Sequence, residues 1–373
     1  MRDLLPEEAA ARRALARHVL DRFSLHGYGL VTLPAFELAE VLERGLGMLD
    51  PRDVLRFVEP ESGEVAALRP DMTPQIARMI ATRLRDRLPP LRLAYEGTVL
   101  RRRSGRARKH RQIPQVGVEL AGVPGPEGDL ELLVLAAESL QAAGLQRFTL
   151  DVGDAAIVRA LLASHPPAEQ ARLSDAMARK ADAEIDDPTL RAIATMQGGR
   201  DALLEGTRLL ASTVADDPAR RLLALFDAAV EHGLGPHLVA DLGEVRGFAY
   251  YTGAIFHAYA PGTGDALASG GRYDELLSRF GCPMPAAGFA LDLDRVAEAL
   301  HEAGVTEPVV MRVVAFGPGA EARAAELRAR GVVAVTAPAR AAAFDWARAW
   351  GFTHVLEAAS GATIAAHLSE GGT

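Results

Sequence analysis

The spacing of apolar residues changes several times along the chain, and each change marks an element. In PEEAAARRALARHVLDRFSLH, residues 6–26, the spacing predicts an amphipathic helix, with Pro6 suited to its first turn and Gly27 to its end. YGLVTLPAFE reads as a strand broken by Pro34. DVLRFVEPESGEVAALRPDMT predicts two strands around a Pro-Glu-Ser-Gly turn, the second ending at Arg69-Pro70. PQIARMIATRLRDRL is a helical pattern with Pro74 in its first turn. LRLAYEGTVLRR and QIPQVGVELAG read as strands on either side of the basic loop SGRARKHR. A helix, GDLELLVLAAESLQAAG, and a strand, RFTLDVG, follow.

From about 155 to 235 the pattern is almost entirely helical, which predicts an inserted helical subdomain. Strands return in HLVADLGEVRGFAYYTGAIFHAYA, and PGTGDALASGGRYDELL reads as a turn. PAAGFALDLDRVAEAL predicts a strand leading into a helix. After it, strand and helix patterns alternate to the end, as in a small α/β unit. The expected organisation is therefore α+β: a core over 1–304 and a second unit over 305–373.

Composition narrows the class. The chain has 373 residues, of which 49% are hydrophobic and 24% charged, as in ordinary globular proteins. No apolar run approaches a membrane span and no signal peptide is evident, so a cytoplasmic location is expected. The single cysteine, Cys282, excludes an internal disulfide framework and a cysteine-based zinc site, and its turn context reads as structural. A net charge of −8 argues against a nucleic-acid coat. His110 and His257 read as surface or loop residues; no metal site and no cofactor are expected.

Candidate chemistry concentrates in a few stretches. EVRGFAYYTGAIF, residues 244–256, read as a strand, sends Tyr250 and Tyr251 to opposite faces and places Arg246 on the face of Tyr250. Gln115 and Glu119 stand four apart on a strand and so face one way. Arg101, Arg102, Arg103, Arg106, Arg108, Lys109 and Arg111 cluster around one loop. That cluster fits a solvated loop, a tRNA acceptor-end contact without base-stacking aromatics, or a site for a partner subunit or phosphate-bearing ligand.

GYGLVTLPAFE, LRPDMTPQ, RQIPQVGVEL, EVRGFAYYTGAIF, SGGRYDELL and AAGFALDLDRV, in that order, resemble the catalytic core of histidyl-tRNA synthetase over roughly residues 1–300. The resemblance implies a class II aminoacyl-tRNA synthetase-like antiparallel sheet with flanking helices, dimerising through the first motif. It also makes the last unit similar to a shortened anticodon-binding domain. It assigns Arg246 to a histidine carboxylate, Tyr250 and Tyr251 to the imidazole, and Tyr273 to the same pocket. Gln115 and Glu119 would help to hold the α-amino group, consistent with acceptors facing an ammonium. Asp71 and Thr73 match the loop in which the family carries glutamate and threonine, with Asp71 one methylene shorter and Met72 in place of glycine. Arg101 matches the arginine of the second motif.

The sequence departs from a synthetase where ATP would bind. Arg103 replaces the acid of an Arg-x-Glu pair, Ile113 stands where an aromatic ring would stack on adenine, and Pro114 where a histidine is usual. Arg295 is kept, but Asp292 replaces a glycine, and Ala249 an aspartate. A carboxylate some 4 Å from a phosphate would cost about 1–4 kcal/mol at effective dielectrics between 80 and 20. An amino-acid pocket beside a degenerate ATP site is similar to the regulatory subunits of ATP phosphoribosyltransferase, a non-synthetase branch. That resemblance implies a non-catalytic chain that joins a short-form catalytic subunit in the first step of histidine biosynthesis and is needed for feedback inhibition by L-histidine. A homodimer core within a hetero-oligomer is implied, with no catalytic residue, no tRNA and no membrane. The alternatives are a working histidyl-tRNA synthetase or another amino-acid-activating paralogue.

Overall fold

The computed structural model describes residues 3–46, 54–101, 112–245, 250–305 and 310–366. Two compact units divide at Val305 and Thr306. The first is built on a nine-stranded sheet. In spatial order its strands are β1 (Gly29–Val31), β5 (Leu91–Leu100), β6 (Gln112–Ala121), β12 (Ala286–Asp292), β11 (Ala268–Arg272), β10 (Ala254–Tyr259), β7 (Thr149–Asp154), β9 (Leu238–Asp241) and β8 (Gln197–Gly198). From β5 to β7 every pairing is antiparallel. The parallel pairs lie outside, β1 on β5 and β9 on β7.

Period-two alternation on β6 separates the two faces of this sheet. Val116, Val118 and Leu120 enter an apolar cluster with α1 (Pro6–Leu25), α4 (Glu127–Ala142), α9 (Asp216–Glu231) and α10 (Leu293–Glu302). Phe23 of α1 is fully buried there, edge-on to Phe289 at 5.7 Å; burying such a ring is worth about 1.5–3 kcal/mol. The helix ends where Gly27 takes φ +81°, as its sequence predicts.

Gln115, Gly117 and Glu119 face the other way. That side is walled by α2 (Ala39–Leu46), α3 (Thr73–Arg83) and a small antiparallel sheet of β2 (Phe36–Leu38), β4 (Val65–Leu68) and β3 (Arg56–Val58). Met72, Ile76 and Ile80 pack there with Tyr95, Val99 and Ile113.

The helical stretch contains α5 (Ala155–Leu162), α6 (Pro167–Ala178), α7 (Pro188–Ala194) and α8 (Arg200–Leu210) as well as α9. It is not wholly helical, because Gln197–Gly198 pairs with β9 and extends the main sheet. Lys180 ties the stretch to β9, donating to both oxygens of the fully buried Asp241 at 2.7 Å.

Two expectations are corrected here. The glycine-rich run before Tyr273 is a central strand, β11, and not only a turn. Its glycines mark close packing: a Cβ on Gly271 would lie 2.7 Å from the Ala254 carbonyl and 2.8 Å from Ile255. Tyr250 and Tyr251 precede β10 instead of lying within it, so strand alternation does not apply to them.

The second unit carries β13 (Arg312–Phe316), α11 (Ala320–Ala329), β14 (Val333–Ala337), α12 (Arg340–Ala349), β15 (His354–Glu357) and β16 (Thr363–Ala365). Its sheet order is β14-β13-β15-β16, parallel except for the last pair. Val314, Ala343 and Ala347 fill one side and Val313, Ala324 and Leu356 the other, so each face of the sheet carries a helix. Among the described residues no helix is long and apolar enough to cross a membrane.

Candidate ligand-binding site

Asp71, Thr73, Arg101, Gln115, Glu119, Tyr250, Tyr251 and Tyr273 line one cavity of about 480 Å³. They reach it from the β4–α3 connection, the end of β5, β6, the turn before β10 and the residue after β11. Arg246 lies outside the described residues, as do Arg103 and the rest of the basic loop from 102 to 111.

The three tyrosines form the deep end. The Tyr250 ring lies 5.1 Å from Tyr251 and 5.4 Å from Tyr273, both edge-on. The two neighbours thus share one cavity, contrary to the opposite faces expected of a strand. Tyr250 donates its hydroxyl proton to Asp71 Oδ2 at 2.8 Å. Asp71 Oδ1 accepts from the Thr73 amide at 3.2 Å, and the Thr73 hydroxyl donates to Glu119 Oε1 at 2.7 Å. Arg101 stays at the rim of this group, with Nε donating to the Pro70 carbonyl at 2.7 Å.

Two buried polar atoms at this end, Glu119 Oε2 and the Tyr273 hydroxyl, have no hydrogen-bond partner among the described residues. Both crowd Gly288: a Cβ there would overlap Glu119 Oε2 and stand 2.5 Å from the Tyr273 hydroxyl. A missing side chain on β12 therefore lets a carboxylate and a phenol meet over bare backbone. Burial pushes the Glu119 carboxyl well above the usual carboxylate range; the Thr73 hydrogen bond opposes this and the Asp71 charge adds to it. Burial likewise raises the hydroxyls of Tyr95, Tyr250 and Tyr251. A polar or cationic group entering this end would meet a carboxyl and a phenol whose hydrogen-bonding capacity is not yet used.

The cavity continues along β6 and β12. Gly288 pairs with Glu119, and four residues on Asp292 pairs with Gln115, a distance of about 13 Å along the strands. Asp292 lines the cavity at this far end and also caps α10, its Oδ1 accepting from the amides of Asp294 at 3.1 Å and Arg295 at 3.3 Å. Arg295 does not line the cavity; it donates to Asp265 Oδ2 at 2.7 Å and Glu298 Oε2 at 2.6 Å. Ile113, opposite Val99 in register, is buried in the apolar cluster that also holds Tyr95.

Sequence reasoning missed several lining residues. Tyr95 is one, and Gly117 was its signal: it stands opposite Tyr95 in register, and a Cβ on it would lie 2.5 Å from the ring. His257 is another. It is a buried residue of β10 lining the cavity, hydrogen-bonded through Nδ1 to the Ser269 hydroxyl at 2.9 Å, not a surface residue. Away from the cavity, oxygens of Asp151, Asp241 and Glu244 lie within 4.8 Å of one another, with the Lys180 ammonium supplying counter-charge at Asp241. Cys282 is buried in the α3-side cluster.

Comparison with known proteins places this architecture. The histidyl-tRNA synthetase family model matches residues 1–296. An ATP phosphoribosyltransferase regulatory subunit from Moorella thermoacetica is 39% identical over 352 residues, covering 89% of this chain and 90% of the relative. The chain belongs to this histidyl-tRNA synthetase-like family of ATP phosphoribosyltransferase regulatory subunits. A second regulatory subunit, from Anaeromyxobacter dehalogenans, is 42% identical over 321 residues, 81% of this chain and 90% of its own length. Among solved structures, an ATP phosphoribosyltransferase regulatory subunit/histidyl-tRNA synthetase from Bacillus halodurans superposes with a TM-score of 0.82 at 28% identity, covering 96% of each chain. The class II synthetase-like fold expected from the motifs is the fold observed.

Proposed function

We propose that the chain binds L-histidine in the 480 Å³ cavity and acts, joined to a short-form ATP phosphoribosyltransferase catalytic subunit, as the sensor of feedback inhibition. The observation that carries this reading is the deep end of the cavity, which is walled by three tyrosine rings and holds one carboxylate oxygen and one phenol without partners among the described residues. Neutral imidazole offers one donor and one acceptor, and these two groups match it. Glu119 then serves the ring instead of the ammonium, because its second oxygen lies beside Tyr273. Asp71 and Gln115 are left for the α-amino group, and Arg246 and Arg101 supply positive charge toward the carboxylate.

Adenylate formation is absent on this reading. A nucleotide would meet Asp292 and Asp265 at the far end, while Arg295 is already held by two carboxylates. A homodimer core is supported by an apolar patch on the small sheet, where Phe36, Phe57, Val58 and Val65 are all exposed and the two phenyl rings meet at 5.4 Å.

The test is calorimetry with histidine beside histidine-dependent pyrophosphate–ATP exchange. Saturable histidine binding without exchange is expected. Exchange at synthetase-like rates would overturn the regulatory reading, and histidine binding neither to the chain alone nor to its complex with the catalytic subunit would overturn the sensor.

A further inference from the structure

The two cage tyrosines before β10 have no regular secondary structure to hold them, so their backbone groups must be satisfied elsewhere. Among the described residues, Arg159 and Thr252 tie this turn on two sides. The Tyr251 carbonyl accepts from Arg159 Nη1 at 3.2 Å and the Thr252 carbonyl from Arg159 Nη2 at 3.1 Å. On the other side, the Thr252 amide donates to the Arg272 carbonyl at 2.7 Å, and the Thr252 hydroxyl oxygen accepts from the Asp274 amide at 3.0 Å.

Arg272 and Asp274 flank Tyr273, so Thr252 joins the turn bearing two of the rings to the residue bearing the third. The joint is braced from behind. Buried Arg272 donates to Asp129 Oδ1 at 2.7 Å and to Asp274 Oδ1 at 2.8 Å, and the Tyr273 amide donates to the Ala286 carbonyl at 2.7 Å. Neither Arg159 nor Thr252 lines the cavity.

We propose that Arg159 and Thr252 are positioning residues for the ligand: they clamp the Tyr250–Tyr251 turn against Tyr273, and so set selectivity for an unsubstituted imidazole ring without touching it. The inference rests on the histidine-binding reading above. It adds that the ring is recognised through a layer that includes α5, the first helix of the helical stretch, since Arg159 belongs to that helix. A shift of α5 would move the Tyr251 carbonyl and with it the cage.

Arg159 is exposed and Thr252 half-buried, so their replacement leaves the core intact. The experiment measures affinity for L-histidine and for its ring-N-methylated analogues in the full chain, with Thr252→Val, Thr252→Ser and Arg159→Leu beside the wild type. Thr252→Val and Arg159→Leu are expected to weaken histidine roughly tenfold, the scale of one or two lost hydrogen bonds, and to shrink the preference over the methylated analogues. Thr252→Ser, which keeps the hydroxyl, restores both. A purely structural role would lower the melting temperature and leave that preference unchanged, and this result overturns the clamp. Wild-type protein that binds no histidine, alone or with the catalytic subunit, overturns the functional reading and the clamp together. Wild-type binding with variants indistinguishable from it overturns the clamp alone.

Discussion

The two ends of the cavity differ in how their polar groups are satisfied. At the tyrosine end, Glu119 Oε2 and the Tyr273 hydroxyl are buried without partners among the described residues. Burying such atoms unpaired costs roughly 1–3 kcal/mol each, a cost that a ligand donor would remove. At the far end the charges answer one another: Asp292 caps α10, and Arg295 is shared between Asp265 and Glu298. A site that keeps unpaired buried groups is poised for a ligand, whereas one whose charges are already matched gains little from one. The contrast lies about 13 Å apart on the same pair of strands, and on the proposed reading it is what lets a synthetase-like sheet hold an amino acid without activating it.

The sharpest way to break the contrast is Gly288→Ala. The added methyl falls on Glu119 Oε2, the Tyr273 hydroxyl and, at 2.5 Å, the Val118 carbonyl, part of the backbone. Histidine binding should disappear, and stability should fall by about 1–3 kcal/mol as for overpacked cores; calorimetry and thermal melting check the two separately. Tyr273→Phe removes one unpaired hydroxyl and no packing. It should weaken histidine by about tenfold while leaving the fold as stable or slightly more so.

Glu119→Gln sharpens the electrostatic half of the comparison. Burial raises the Glu119 carboxyl, so the folded chain keeps a proton that the unfolded chain has released. The contribution of this group is therefore largest below the ordinary carboxylate range and declines as pH rises toward the shifted value. The glutamine variant should lose that decline and melt higher than the wild type at neutral pH, yet bind histidine more weakly. Thermal melts across pH measure it. The smallest effect belongs to the far end. Asp292→Ala should lose its helix cap, about 0.5–2 kcal/mol, with histidine affinity unchanged and no pyrophosphate exchange gained.

Much of this architecture was legible in the sequence because local rules governed it. Pro6 and Gly27 bound α1, Pro74 opens α3, and the spacing of Gln115 and Glu119 on β6 puts both into one cavity. The failures came where long-range packing overrode those rules. The glycines of β11 read as a turn because their reason, closeness to Phe289 and Ala254, lies on other strands. Tyr250 and Tyr251 share a cavity because the strand starts only at Ala254, and nothing local to the Tyr-Tyr pair marks that start. Ile113, which stands where an aromatic ring would stack on adenine, is buried in the apolar cluster with Tyr95 and Val99. His257 was misplaced because an isolated histidine carries no signal of its hydrogen bond to Ser269.

The central claim is that histidine is sensed at the tyrosine end of this cavity. Its most direct test is the histidine inhibition curve of the reconstituted complex with the short catalytic subunit, wild type against Tyr273→Phe. The account predicts that the curve of the variant moves to about tenfold higher histidine while uninhibited activity is unchanged. Superimposed curves would place histidine sensing outside this cavity and contradict the account.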